Sequence, residues 1–148
     1  ILVNVATANL AGTGATATGG ICINRPTTPK LTVWADITID SATAFNPSYQ
    51  ANPASANSLV NVITHELGHG LGFGTLPSVD FRSGVPGADP RFFGSIAVQQ
   101  YLTVGGTDTN GGVPLENDNR YGLYGHWRRS VFTTEVMNGT AGQNGVGV

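Results

Sequence analysis

The 148-residue chain is poor in charge, in cysteine and in uninterrupted apolar sequence, and each shortage excludes something. Only 11% of its residues are charged and the formal net charge is -2, with seven basic residues that are scattered except for Arg128 and Arg129. Phosphate binding needs clustered Lys and Arg, so a nucleic-acid binder is set aside. Cys22 is the single cysteine, which excludes an internal disulfide and a thiolate zinc cluster. It is expected to be a small buried hydrophobe. Gly, Asn, Thr or Asp breaks the apolar stretches every few residues, well short of the roughly 20 apolar residues of a membrane-spanning helix. No membrane span is expected.

What is present fits one domain, residues 1–148, long enough to bury a core and form a cleft. The abundance of Gly, Ala, Thr, Asn and Ser with little charge tilts towards a secreted protein. The chain opens at Ile1 without Met, so upstream sequence such as a leader or pro-segment is expected to be missing. Ile1 to Val5 read as a short strand, and the Gly/Thr/Ala stretch to Gly20 as a loose loop. From Leu31 to Asp40 apolar and polar residues alternate, predicting a half-buried strand with Leu31, Val33, Ala35, Ile37 and Ile39 on one face. After Asn46-Pro47 and Asn52-Pro53, a cap at Ser55, Asn57 or Ser58 opens a helix from about Ser58 to about Leu71. The chain is then expected to be irregular through Pro90, with a short helix from about Gly94 to Tyr101, a polar loop from Gly105 to Gly112 and a turn-like end from Asn138.

Inside the first helix stands Thr64-His65-Glu66-Leu67-Gly68-His69. Histidines at i and i+4 share a helix face, so both imidazoles reach one ion at about 2.0–2.1 Å. Neutral imidazoles suit zinc, which needs no redox partner. A catalytic zinc keeps a position for water, and Glu66 then works as general base outside the ligand set. Gly72, three residues after His69, gives the helix a place to end in a left-handed turn. One further histidine, His126, lies between Gly125 and Trp127, and the sole methionine, Met137, precedes Asn138-Gly139.

His-Glu-x-x-His-x-x-Gly resembles the metzincin signature, but Thr75 stands where most metzincins carry the third histidine. The third ligand comes from elsewhere or is absent. The segment Phe73 to Gly125, with Phe92-Phe93-Gly94, Gly105-Gly106 and Val113-Pro114-Leu115-Glu116-Asn117, then His126-Trp127-Arg128 and Thr134-Glu135-Val136-Met137-Asn138-Gly139, is similar in content and order to the leishmanolysin-like peptidases, bacterial members included. The likeness runs from about Cys22 to Gly139. It implies an α+β, metzincin-type zincin: a twisted β-sheet, an active-site helix and an irregular C-terminal subdomain. It also implies His65, His69 and His126 as ligands of one catalytic Zn2+, Glu66 as the catalytic base, and Met137 in a turn beneath the metal. The implied activity is secreted or cell-surface endopeptidase cleavage of proteins or peptides. Family members usually continue past that turn into a helical part, so the chain is expected to be a fragment or processed form. The competing reading is a catalytically inactive zinc-binding or adhesion module with the same fold; a zinc hydrolase of non-peptide amides is a third, without positive support.

Glu116 is expected to fix a loop, because one base suffices. Asp108, Asn110, Asp118 and Asn119 offer oxygen ligands of the kind calcium takes, but their spacing fits no EF-hand loop and a plain polar loop is the favoured reading. Tyr121 and Tyr124 are candidates for stabilising an oxyanion, with ordinary packing preferred.

Overall fold

The computed structural model describes residues 1–13, 15–26, 31–46, 57–74, 82–83, 89–107, 111–121, 124–133 and 135–139. It is mixed in α and β structure, with a small mixed sheet, two helices and short pairings, in agreement with an α+β chain. Strands β1 (Leu2–Ala8), β2 (Ala17–Asn24) and β3 (Thr32–Asp40) form a sheet in the order β1-β3-β2. β1 runs parallel to β3, and β2 runs antiparallel to it with a bulge at Cys22. β4 (Phe45–Asn46) pairs in parallel with β5 (Asn57–Ser58), which leads directly into helix α1 (Leu59–Gly70). Beyond α1, β6 (Arg82–Ser83), β7 (Arg91–Phe92) and β8 (Val113–Pro114) form a small antiparallel ladder around helix α2 (Ser95–Thr103).

The alternation predicted between Leu31 and Asp40 does produce β3, but only half of its apolar face is covered. Ala35, Ile37 and Ile39 are buried, whereas Leu31 and Val33 are exposed. The cause is the length of α1. Gly70, its last residue, lies on Ala35, where a Cβ at position 70 would come 2.8 Å from the Ala35 Cβ. No further helical turn remains to cover Val33 and Leu31. Ile37 is fully buried, and an isoleucine side chain in that position contributes about 1.5–3 kcal/mol relative to exposure.

Two expectations at the start of the chain are corrected. β1 extends to Ala8, past the predicted Val5, because its backbone pairs with β3 as far as Asp40. The supposed loose loop contains the first half of β2, beginning at Ala17. Its glycines look like loop residues in sequence, but Gly19 lies where α1 passes: a Cβ there would sit 2.6 Å from the backbone oxygen of Glu66. Glycine inside a strand marks such an approach as readily as a break. Cys22 is also corrected, being exposed. It sits at the bulge of an edge strand, on the sheet face away from α1, where its thiol bonds to Asp36 and is pushed up in pKa by that carboxylate.

α1 begins where its capping chemistry predicts. Ser58 is the N-cap, and its Oγ accepts from Asn61 N at 3.3 Å. α2 starts one residue after Gly94 and runs two residues beyond Tyr101. Most of the predicted irregular segment before Pro90, the centre of the Gly105–Gly112 loop and the end beyond Gly139 lie outside the described residues. Among the described residues no helix is long and apolar enough to cross a membrane.

Candidate metal centre

The last turn of α1 builds half of the site. Gly72 takes φ +114°, Gly72 N donates to His69 O at 2.9 Å, and Phe73 N donates to Gly68 O at 3.0 Å. This is a Schellman ending, for which glycine is the residue without steric penalty. It turns the Phe73 carbonyl back towards the helix, where it accepts from His69 Nδ1 at 2.8 Å. One turn earlier, His65 Nδ1 lies 2.6 Å from Val136 O, in the segment that carries Met137. A carbonyl oxygen only accepts, so both Nδ1 atoms carry the proton and both Nε2 atoms present a lone pair.

The other half comes from a distant stretch of chain. Leu115 and Trp127 form an antiparallel bridge, Trp127 and Asn138 a parallel one, and Trp127 N donates to Met137 O at 2.9 Å. His126 is thereby held between the 115 and 137 segments and beside α1. The aromatic ring of Trp127 packs edge-on against Phe73, with centroids 4.6 Å apart, and also against Phe92 and Phe132. Residue 74 completes the fit: a Cβ there would overlap the backbone of Gly125, so the turn leaving α1 lies directly on the turn entering His126.

The three Nε2 atoms form a nearly equilateral triangle. His65 to His69 is 3.1 Å, His69 to His126 is 3.1 Å and His126 to His65 is 3.0 Å. Among the described residues this is the one group of His, Cys, Asp and Glu side chains that converges as metal ligands would. The tautomers make the test of fit: the lone pairs of His65 and His69 point into the same small space with no proton of their own between them, an arrangement satisfied by a cation. Ligands about 2.0–2.1 Å from a tetrahedral ion lie roughly 3.3 Å apart, close to the spacing here. The two carbonyl partners fix ring orientation in the way outer-shell acceptors do in histidine metal sites.

Burial sets the electrostatics. His65 is 7% exposed, and desolvation pushes its pKa down to about 4, with the neighbouring His69 and His126 adding to the shift against the Val136 bond. His69 moves down for the same first reason. Neutral imidazoles are the ligating form. Glu66 is 6% exposed, and burial raises its carboxyl to about 7. It lies between α1 and Gly19 of β2, where a Cβ would come 2.8 Å from its Oε2.

Of the remaining candidates, Met137 is buried against α1, and a Cβ at Gly68 would overlap its Sδ. Glu116 does fix a loop, through bonds described below. Tyr121 packs against cations, with the Arg129 guanidinium 3.8 Å from its ring centroid, and Tyr124 adopts φ +62° immediately before Gly125. Asp118 spends its carboxylate on Arg120, with Nη2 2.6 Å from Oδ2, and Asn119 opens a short 3-10 turn. Asp108, Asn110 and Thr75 lie outside the described residues. The parts that sequence reading missed are Gly19 and the Phe73 and Val136 carbonyls. Ile21 and Ile23 carry the alternation that signals β2, obscured by the glycines before them.

No protein-family model matches the chain, and no curated protein matches it.

Proposed function

We propose that this chain is a zinc-dependent endopeptidase of metzincin type, akin to the leishmanolysin-like peptidases. It hydrolyses peptide bonds through a metal-activated water with Glu66 as general base. The observation that carries the reading is the convergence of the His65, His69 and His126 Nε2 atoms at 3.0–3.1 Å, with a buried Glu66 following His65 in α1. Three histidines would hold the ion, and zinc is the metal that suits them. When bound, the ion supplies a Lewis acid for the scissile carbonyl and lowers the pKa of its water to about 7.

The chain's own groups do the rest. The Phe73 and Val136 carbonyls keep two imidazoles in the ligating tautomer. Glu66, buried next to His65 in α1, is the group that takes a proton from the water and passes it to the leaving amine. Among the described residues β2 ends the three-stranded sheet next to Glu66, an edge of the kind that adds an extended peptide as a further strand. A secreted or cell-surface location belongs to the same proposal and rests on the resemblance and the low charge.

The test is hydrolysis of an unstructured protein such as casein by the zinc-loaded chain, by the chain with a chelator, and by a Glu66→Ala variant. Cleavage by the first alone supports the proposal. Equal cleavage by all three refutes it, and bound zinc without cleavage favours a non-catalytic zinc module instead.

A further inference from the structure

Glu116 is a carboxylate that the proposed chemistry does not use, yet at 3% exposure it is more deeply buried than Glu66. Its Oε1 accepts from Asn117 N at 2.9 Å and Asp118 N at 3.0 Å, and its Oε2 accepts from Arg129 N at 3.0 Å. Its main chain is tied to the same region: Glu116 N donates to His126 O at 2.9 Å, and Glu116 O accepts from Tyr124 N at 3.1 Å. One residue therefore fastens the chain before His126, His126 itself and the chain after it. The Arg129 guanidinium lies over Tyr121, so what Arg129 offers Glu116 here is its backbone N–H.

The loop so fastened is not in a relaxed conformation. Tyr124 stands at φ +62°, a region costly for a residue with a side chain, and Gly125 is pressed against Gly74. Such a conformation persists only where its surroundings over-determine it. Glu116 contributes to that determination, because both of its carboxyl oxygens accept from backbone N–H groups of the loop at 2.9–3.0 Å. A glutamine in its place presents a donor on one side, opposite either the Arg129 N–H or the Asn117 and Asp118 pair.

We propose that Glu116 is the positioning residue for the third metal ligand: it holds His126 at the ion through the loop without touching the ion. This rests on the metal-site reading above. His65 and His69 sit on α1 with their Nδ1 atoms on the Val136 and Phe73 carbonyls, whereas the Glu116 side-chain bonds go to Asn117, Asp118 and Arg129 around His126, so the effect of Glu116 on binding runs through His126.

The experiment is a double-mutant cycle on the full chain, read by Zn2+ affinity in competition with a chromogenic chelator and by the visible absorption of the Co2+-substituted protein. The members are wild type, Glu116→Gln, His126→Ala and the double variant, with folding checked by far-UV circular dichroism. Expected for Glu116→Gln is a loss of affinity of about 10–100-fold, with a Co2+ spectrum shifted towards that of His126→Ala. In the His126→Ala background the same change is expected to cost less than about 2-fold, because coupled residues are not additive. Glu116→Asp keeps both acceptors but falls one methylene short, so its affinity is expected to lie between wild type and Glu116→Gln; it serves as the second folded variant. Unchanged affinity and spectrum in either folded variant overturn the proposal, as does an equal loss in both backgrounds. A wild-type chain that binds no Zn2+ refutes the metal reading itself.

Discussion

Gly19 and Gly20 are neighbours in β2 with opposite surroundings, and substituting each by alanine tests how closely the sheet and α1 are packed. A Cβ at position 19 would meet the Glu66 backbone oxygen at 2.6 Å and its Cβ and Oε2 at 2.8 Å, whereas a Cβ at position 20 meets nothing within 4 Å. Ordinary carbon contacts lie near 3.5 Å, so at position 19 strand and helix must separate by roughly 0.7–0.9 Å. Overpacking of this kind costs about 1–3 kcal/mol. Both substitutions gain about 0.5–1 kcal/mol from the reduced freedom of the unfolded chain and from strand preference. Gly20→Ala is therefore expected to stabilise, and Gly19→Ala to fall about 1–3 kcal/mol below it. At about 2–4 °C per kcal/mol for a chain of this size, their melting temperatures should differ by about 2–12 °C. Calorimetry of the two metal-free variants reads this directly. Under the proposed function, with Glu66 as base, peptide hydrolysis should fall about 100-fold in Gly19→Ala, the effect of a misplacement of about 1 Å on such a group. Two variants stabilised alike would refute the close approach of β2 to Glu66.

Other consequences follow from individual groups. Acid response of the metal-free protein depends on opposed titrations: His65, lowered from 6.5 to about 4, and His69, lowered by the same burial, lose their contributions as pH falls below 6.5, while Glu66 is raised from 4.5 to about 7, so its contribution is lost as pH rises through that range. The His65 and Glu66 contributions are each about 3 kcal/mol and oppose one another between pH 4.5 and 6.5, so Glu66→Gln should lose stability on acidification more steeply than wild type; equal pH profiles from thermal melts would contradict this. Ser58→Ala removes the Oγ that accepts from Asn61 N and should cost about 1 kcal/mol, measured by urea denaturation. Zn2+ at 100 times its dissociation constant should stabilise the folded chain by about 3 kcal/mol, an increment that chelation reverses and that His65→Ala abolishes; a melting temperature indifferent to both would count against the site.

α1 was the most legible element, because its cap, its apolar period and its glycine ending all agree on one span. The same local rules explain why His65, Glu66 and His69 were legible as a group: the i, i+4 spacing sets the two histidines on one side of the helix, with Glu66 on the neighbouring face. His126 was not accessible to that reasoning. Its place depends on bridges from Leu115 to Trp127 and from Trp127 to Asn138, pairings that no periodicity in the chain announces. β2 was missed for a related reason, since Gly19 answers to the helix above it and not to its own strand neighbours. Cys22 was misjudged because a small apolar residue carries no signal of which sheet face it will occupy when a bulge shifts the register. Leu31 and Val33 alternate correctly and are exposed because a helix fixed elsewhere in the chain stops at Ala35.

The central claim is that one ion is held by His65, His69 and His126 together. X-ray absorption at the zinc edge of the reconstituted protein tests it most directly, with metal content measured on the same sample. Expected is one zinc per chain with three imidazole nitrogens at about 2.0–2.1 Å, falling to two imidazoles in His126→Ala. A zinc shell with only two imidazoles in the wild type, or one unchanged by His126→Ala, would contradict it.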